Sequence, residues 1–112
     1  MIYHMLPAGV WQRQAPEQPY QADTLANEGF IHCTDEPNRL LWVANRFYRT
    51  QPDDFVILCI EPTQVRSELK WEQVDGHAFP HIYGPLNLDA ICNVVSFPRD
   101  AAGQFLPPTE FS

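Results

Sequence analysis

Residues 29–49 read Gly-Phe-Ile-His-Cys-Thr-Asp-Glu-Pro-Asn-Arg-Leu-Leu-Trp-Val-Ala-Asn-Arg-Phe-Tyr-Arg, and the change of period inside this stretch decides the fold class. Gly29 to Thr34 is an aromatic and β-branched segment that predicts a strand. Phe30, His32 and Thr34 share one of its faces, and Ile31 and Cys33 the other. Thr34-Asp35-Glu36-Pro37 then signals a helix start, with capping side chains, early acids and a first-turn proline. The helix runs to about Tyr48 or Arg49. Leu40, Val43, Ala44 and Phe47 lie on one side of it at helical spacing, flanked by Leu41 and Tyr48.

Upstream, Ile2 to Leu6 is a short apolar run stopped by Pro7 and reads as a first strand. Ala8 to Gln14 makes a short helix, and Asp23 or Thr24 caps a helical turn reaching Glu28 and ended by Gly29. Downstream, Phe55 to Ile60 is a continuous apolar run suited to a buried central strand. Leu69 to Val74, an Asp75-Gly76 turn, an extended Phe79 to Leu86 and a closing Ile91 to Phe97 complete the pattern. Six strand segments surround one main helix and one or two short ones. This predicts a single α+β domain over residues 1–98, its sheet mixed or antiparallel. Residues 99–112, with Pro107-Pro108, are a polar tail expected to drape over the surface or fray.

A chain of 112 residues, 45% hydrophobic and 19% charged, is long enough for one real core and has the composition of a globular domain, neither disordered nor membrane-spanning. Fourteen acidic residues against seven basic ones leave a net charge of −7. That sign disfavours nucleic-acid partners, although one local arginine or helix N-terminus can still hold a small phosphate. Cys33, Cys59 and Cys92 are odd in number and widely spaced, which argues against a disulfide framework and a thiolate zinc site. The N-terminus resembles no signal peptide and no apolar run is long enough for a membrane span. A cytoplasmic location is the expectation. The sequence sets no oligomeric state.

Chemistry gathers around His4, His32 and His81. His32 and Thr34 lie just before the main helix, where free backbone N–H groups and the positive end of the dipole favour a phosphate or carboxylate. The alternative is that Thr34 caps the helix and His32 is a hydrogen-bonded core residue. His4 shares a face with Ile2 and Leu6, as an interior histidine would. His81 and Tyr83 share a face in a segment stiffened by Pro80 and Pro85 and suited to a ligand wall. Lys70 and Glu72 share the face opposite Leu69 and Trp71. His77 and His81 have a helical metal-ligand spacing, but Pro80 opposes a helix there, and no metal site is expected. No nucleophile elbow or glycine-rich phosphate loop is present.

Four pieces together carry a resemblance: Ile2-Tyr3-His4, Glu28-Gly29-Phe30-Ile31-His32-Cys33-Thr34, Trp71-Glu72, and Phe79-Pro80-His81-Ile82-Tyr83-Gly84-Pro85-Leu86. Their order and spacing resemble domain-of-unknown-function family 952, small bacterial single-domain proteins. Trp11, Tyr20 and Leu25 also fall on that pattern, and Thr34 stands where serine is more frequent. The resemblance covers roughly the first 95 residues. It implies an ADP-ribosyltransferase-like fold, a bent, split sheet around a nicotinamide-dinucleotide cleft, with NAD as the cofactor in view. It further implies that His4, Thr34, His81 and Tyr83 bind the ligand. His32 would orient ribose or phosphate, and Glu72 would act as acid/base or stabilise an oxocarbenium-like centre. The expected function is binding of a nucleotide-like or phosphate-bearing small molecule, with ADP-ribosyl or phosphate-ester transfer. The alternative is a non-catalytic ligand-sensing or interaction module, since fold does not fix function.

Overall fold

The run Phe55–Ile60 has apolar side chains on both faces, so it needs cover on both, and the fold is organised to supply it. In the computed structural model, which describes residues 1–111, this strand (β3) is the centre of an antiparallel sheet. Its neighbours are β1 (Ile2–Pro7) and β6 (Ile91–Phe97), in the order β1-β3-β6. A second antiparallel sheet has the order β2-β5-β4, from Ile31–His32, His77–Tyr83 and Glu68–Val74. Three helices complete the main elements: α1 (Ala8–Gln12), α2 (Asp23–Glu28) and α3 (Pro37–Phe47).

One face of the first sheet, with Ile2, Leu6, Leu58 and Ile60, packs against Ile31 and Ile82 of the second. The other face, with Met5, Phe55, Ile57, Val95 and Phe97, is covered by Leu40 and Ala44 of α3 and by Phe105. The second sheet and α3 thus cover opposite faces of the first sheet, and beyond its edge Arg39 of α3 reaches over the Phe79 ring of β5, 5.7 Å from the centroid. Because side chains alternate along a strand, the residues that bury Ile31 and Ile82 turn His32 and His81 to the second sheet's other face. The α+β class stands, with two antiparallel sheets.

The two sheets meet where Tyr3 and Thr34 exchange backbone hydrogen bonds, N–H to carbonyl in both directions, at 2.7 and 2.8 Å. This bridge takes Thr34 out of helix capping. The N-cap of α3 is Glu36, whose side chain makes no cap bond. The strand predicted over residues 29–34 accordingly shortens to two residues in the second sheet. Gly29 closes α2 with φ 87°, the left-handed conformation that glycine adopts without penalty.

Two expectations are corrected. Phe47 is not on the buried side of α3 but 59% exposed, because the face that meets the sheet is Leu40, Leu41, Ala44 and Tyr48. Residues 99–111 do not fray. Phe105 is buried against Phe55 and Phe97, with ring centroids 5.6 and 4.8 Å apart. The Asn45 side chain pairs with both backbone groups of Phe105, and Arg99 donates to the carbonyls of Arg49, Gln51 and Asp53. No helix among the described residues is long and apolar enough to cross a membrane.

Candidate functional site

A cleft of about 980 Å³ opens between α3 and the polar face of the second sheet. His4, His32, Thr34 and His81 all line it, so the structure brings four of the six sequence-predicted residues to one place. Glu72 and Tyr83 do not line it; they stand behind His81. Sequence reasoning gave no cleft role to Arg39, Trp42, Arg46 or Phe47 of α3, which form the opposite wall. The signal available was helical phase: Trp42 and Arg46 fall off the Leu40–Ala44 stripe, so they had to face something other than the sheet.

The histidines differ in what holds them. His4 is buried with both ring nitrogens occupied: Nδ1 donates to the His32 carbonyl at 2.6 Å, and Nε2 accepts from the Tyr20 hydroxyl at 2.8 Å. A carbonyl cannot donate, which fixes the tautomer. Burial lowers its pKa to about 4, since the charged form would be desolvated, so at neutral pH His4 is an uncharged tie between β1 and β2. Burial also raises the pKa of Tyr20, which remains a phenol.

His81 and His32 are directly paired across β5 and β2, with ring centroids 5.2 Å apart. Each holds a carboxylate on one nitrogen. His81 Nδ1 donates to Glu72 Oε1 at 2.8 Å, and His32 Nε2 donates to Glu28 Oε2 at 2.9 Å. Among the described residues His81 Nε2 and His32 Nδ1 have no protein partner. The Glu72 carboxylate also accepts a short hydrogen bond from the Tyr83 hydroxyl. That bond and the one from His81 hold its pKa below the ordinary carboxylate value, while the tyrosine's is raised by the same bond. Phe30, which does not line the cleft, stacks on the His81 ring at 4.2 Å and packs on Tyr83 at 5.1 Å, so the ring is clamped from a second side.

This network follows from the hairpin. Asp75 and Gly76 both have positive φ, 52° and 84°, the two-residue turn that matches strand twist. The turn puts Val74 opposite His77, hence Lys70 opposite His81 and Glu72 one step along the same face. His77 and His81 lie on a strand, where their spacing is not that of a helical ligand pair.

Thr34 is the anomaly. It is 5% exposed, and its Oγ1 has no hydrogen-bond partner among the described residues. Leaving a buried hydroxyl unpaired costs about 1–3 kcal/mol. It stands on the cleft wall just before the free N–H groups of the first turn of α3, where Asn38 and Arg39 also line the cleft. Arg39 is paired with Asp35 and Glu36. Arg46, at the other end of the helix, lies over the Phe47 ring and has no ion pair among the described residues. The lining is not uniformly cationic, since Glu28, Glu36 and Asp75 share it.

The sequence model for "Protein of unknown function (DUF952)" matches residues 5–94, and the chain belongs to that family. Its fold is similar to that of protein CC0527 from Caulobacter crescentus. The crystal structure of that protein has a TM-score of 0.80 at 26% identity, covering 94% of this chain and 92% of the other. The solution NMR structure gives 0.72 at 28% identity, covering 91% and 88%. No curated protein matches the chain.

Proposed function

We propose that this DUF952 protein binds a nucleotide-like, phosphate-bearing small molecule in the cleft between α3 and the second sheet. The observation that carries the reading is Thr34 Oγ1, a buried hydroxyl without a partner among the described residues, just ahead of a helix. A phosphate oxygen there would accept from the hydroxyl and from the helix N–H groups together. Arg46, without an ion pair among the described residues, supplies a cation further along the same wall. Trp42, 54% exposed, and Phe47 offer aromatic faces on which a flat base can stack. The net charge of −7 favours a small ligand over a polynucleotide.

The reading extends to the fold. Two three-stranded sheets joined at the Tyr3–Thr34 bridge suit an ADP-ribosyltransferase-like split sheet, and NAD is the ligand that kinship suggests. The three cysteines, all free, fit a bacterial cytoplasm.

Thermal denaturation with inorganic phosphate, ADP-ribose and NAD tests the reading. A ligand at a hundred times its dissociation constant adds about 2.7 kcal/mol, roughly 10 °C for a domain of this size. The expected result is a rise with at least ADP-ribose that Thr34→Val removes. No rise with any of the three at millimolar concentration overturns the reading.

A further inference from the structure

Two histidines from adjacent strands, on one cleft wall, each with a carboxylate on one nitrogen and no partner on the other among the described residues, have the layout of an acid–base pair. We propose that the cleft hydrolyses a phosphodiester of a small nucleotide, with His81 as general base and His32 as general acid. The inference rests on the ligand reading above and chooses its chemistry.

The roles follow from the surroundings. His81 is buried and oriented by Glu72, which takes the Nδ1–H and leaves the Nε2 lone pair for the cleft. Glu72 is therefore a positioning residue, itself held by Tyr83. His32 is half exposed, with its side chain against the equally exposed Glu28, so its second nitrogen can exchange protons with water. The cleft that both rings line also takes in Thr34 and the first turn of α3, and the phosphorus would sit there.

In the step, water gives a proton to His81 Nε2 as its oxygen bonds to phosphorus. The bond from phosphorus to the leaving oxygen breaks, and that oxygen takes the proton from His32 Nδ1. The products are a phosphate monoester and the freed hydroxyl. Loss of a proton from His81 and gain of one by His32, through solvent, restore the starting state. Such positioned proton transfers contribute typically 10²–10⁴-fold each. The glycosidic cleavage that the resemblance implies calls on Glu72 to face the anomeric carbon. Glu72 instead lies off the cleft with Oε1 engaged by His81 and Tyr83.

The experiment uses the full chain with 2′,3′-cyclic AMP, and with bis(4-nitrophenyl) phosphate, whose leaving group needs no protonation. His81→Ala should lose about 10²-fold or more in kcat on both and regain part of it with added imidazole, which a purely structural histidine would not show. His32→Gln should lose on the order of 10²-fold on the cyclic nucleotide and far less on the nitrophenyl ester. Glu72→Gln should lose at least about tenfold in kcat with KM unchanged, and Glu68→Gln should match the wild type. Each variant's melting curve accompanies its rates. Should His81→Ala not fold, His81→Asn and Glu72→Gln carry the same comparison. Ligand-induced stabilisation without turnover of either diester overturns this proposal and leaves the binding reading standing; absence of both overturns the two together. Nicotinamide release from NAD in place of diester hydrolysis also overturns it.

Discussion

In β1-β3-β6 the second face is closed by α3 and Phe105, whereas in β2-β5-β4 it is left open, and there His32, His81, Lys70 and Glu72 stand. Each sheet carries one buried histidine, His4 at 8% and His81 at 4% exposure. By burial the two are the same residue. By partners they are opposites: His4 spends both nitrogens inside the protein, while His81 spends one and presents the other to a cleft. The difference teaches that the number of hydrogen bonds left over, and not depth, separates a structural histidine from a chemical one.

The comparison breaks most visibly at Phe105. Phe105→Ala removes part of the cover on the first sheet and should cost about 3–5 kcal/mol, a fall in Tm of more than about 10 °C. A change of a few degrees would mean that the closed face does not depend on the C-terminal segment.

His4 sharpens the contrast through pH. Its pKa is about 4 when folded against 6.5 unfolded, so between these values the unfolded chain binds the extra proton. Stability from neutral His4 is fully present above pH 6.5 and is lost as pH falls toward 4, by about 3 kcal/mol at 1.36 kcal/mol per unit. His4→Asn keeps a donor for the His32 carbonyl but does not titrate. The wild type's advantage over it, measured by denaturant melts, should shrink across that interval; a constant gap would show that His4 is not buried neutral.

Thr34→Val should act in the reverse sense, stabilising the free protein by about 1–3 kcal/mol because it removes an unpaired buried hydroxyl. Destabilisation would mean the hydroxyl has a partner in solution. The smallest effect is expected at Trp42→Ala, within about 0.5 kcal/mol in stability, while the thermal response to ADP-ribose weakens. A large stability loss there would make the cleft wall part of the core.

Much of this was legible from residue order. The period switch at Thr34-Asp35-Glu36-Pro37 located α3 to within a few residues, and the apolar run Phe55–Ile60 gave the central strand. Strand alternation set His32 on a face with Thr34 and His81 on a face with Tyr83, while the pairing of His32 with His81 came from the register of β2 and β5. What escaped were the facts set by cross-strand register and tertiary contact. The side of α3 that meets the sheet depends on Leu41 and Tyr48 as well as Leu40 and Ala44, and that moved Phe47 outward. Phe105 was hidden in a polar segment because its anchors, Asn45 and the carbonyls that Arg99 gathers, lie far away in sequence. Glu72 could have been set beside His81 in advance, had the two-residue Asp75-Gly76 turn been used to count register back along the hairpin.

The Tyr3–Thr34 bridge has a kinetic consequence. Each residue's N–H serves the other's carbonyl, so the pair is a backbone clasp between the two sheets, set beside the tie from His4 to the His32 carbonyl. Any parting of the sheets beside the cleft must release both amides at once. Their deuterium uptake should therefore share one opening rate, a two-atom gauge of how often the cleft breathes and of how far an occupant holds it shut.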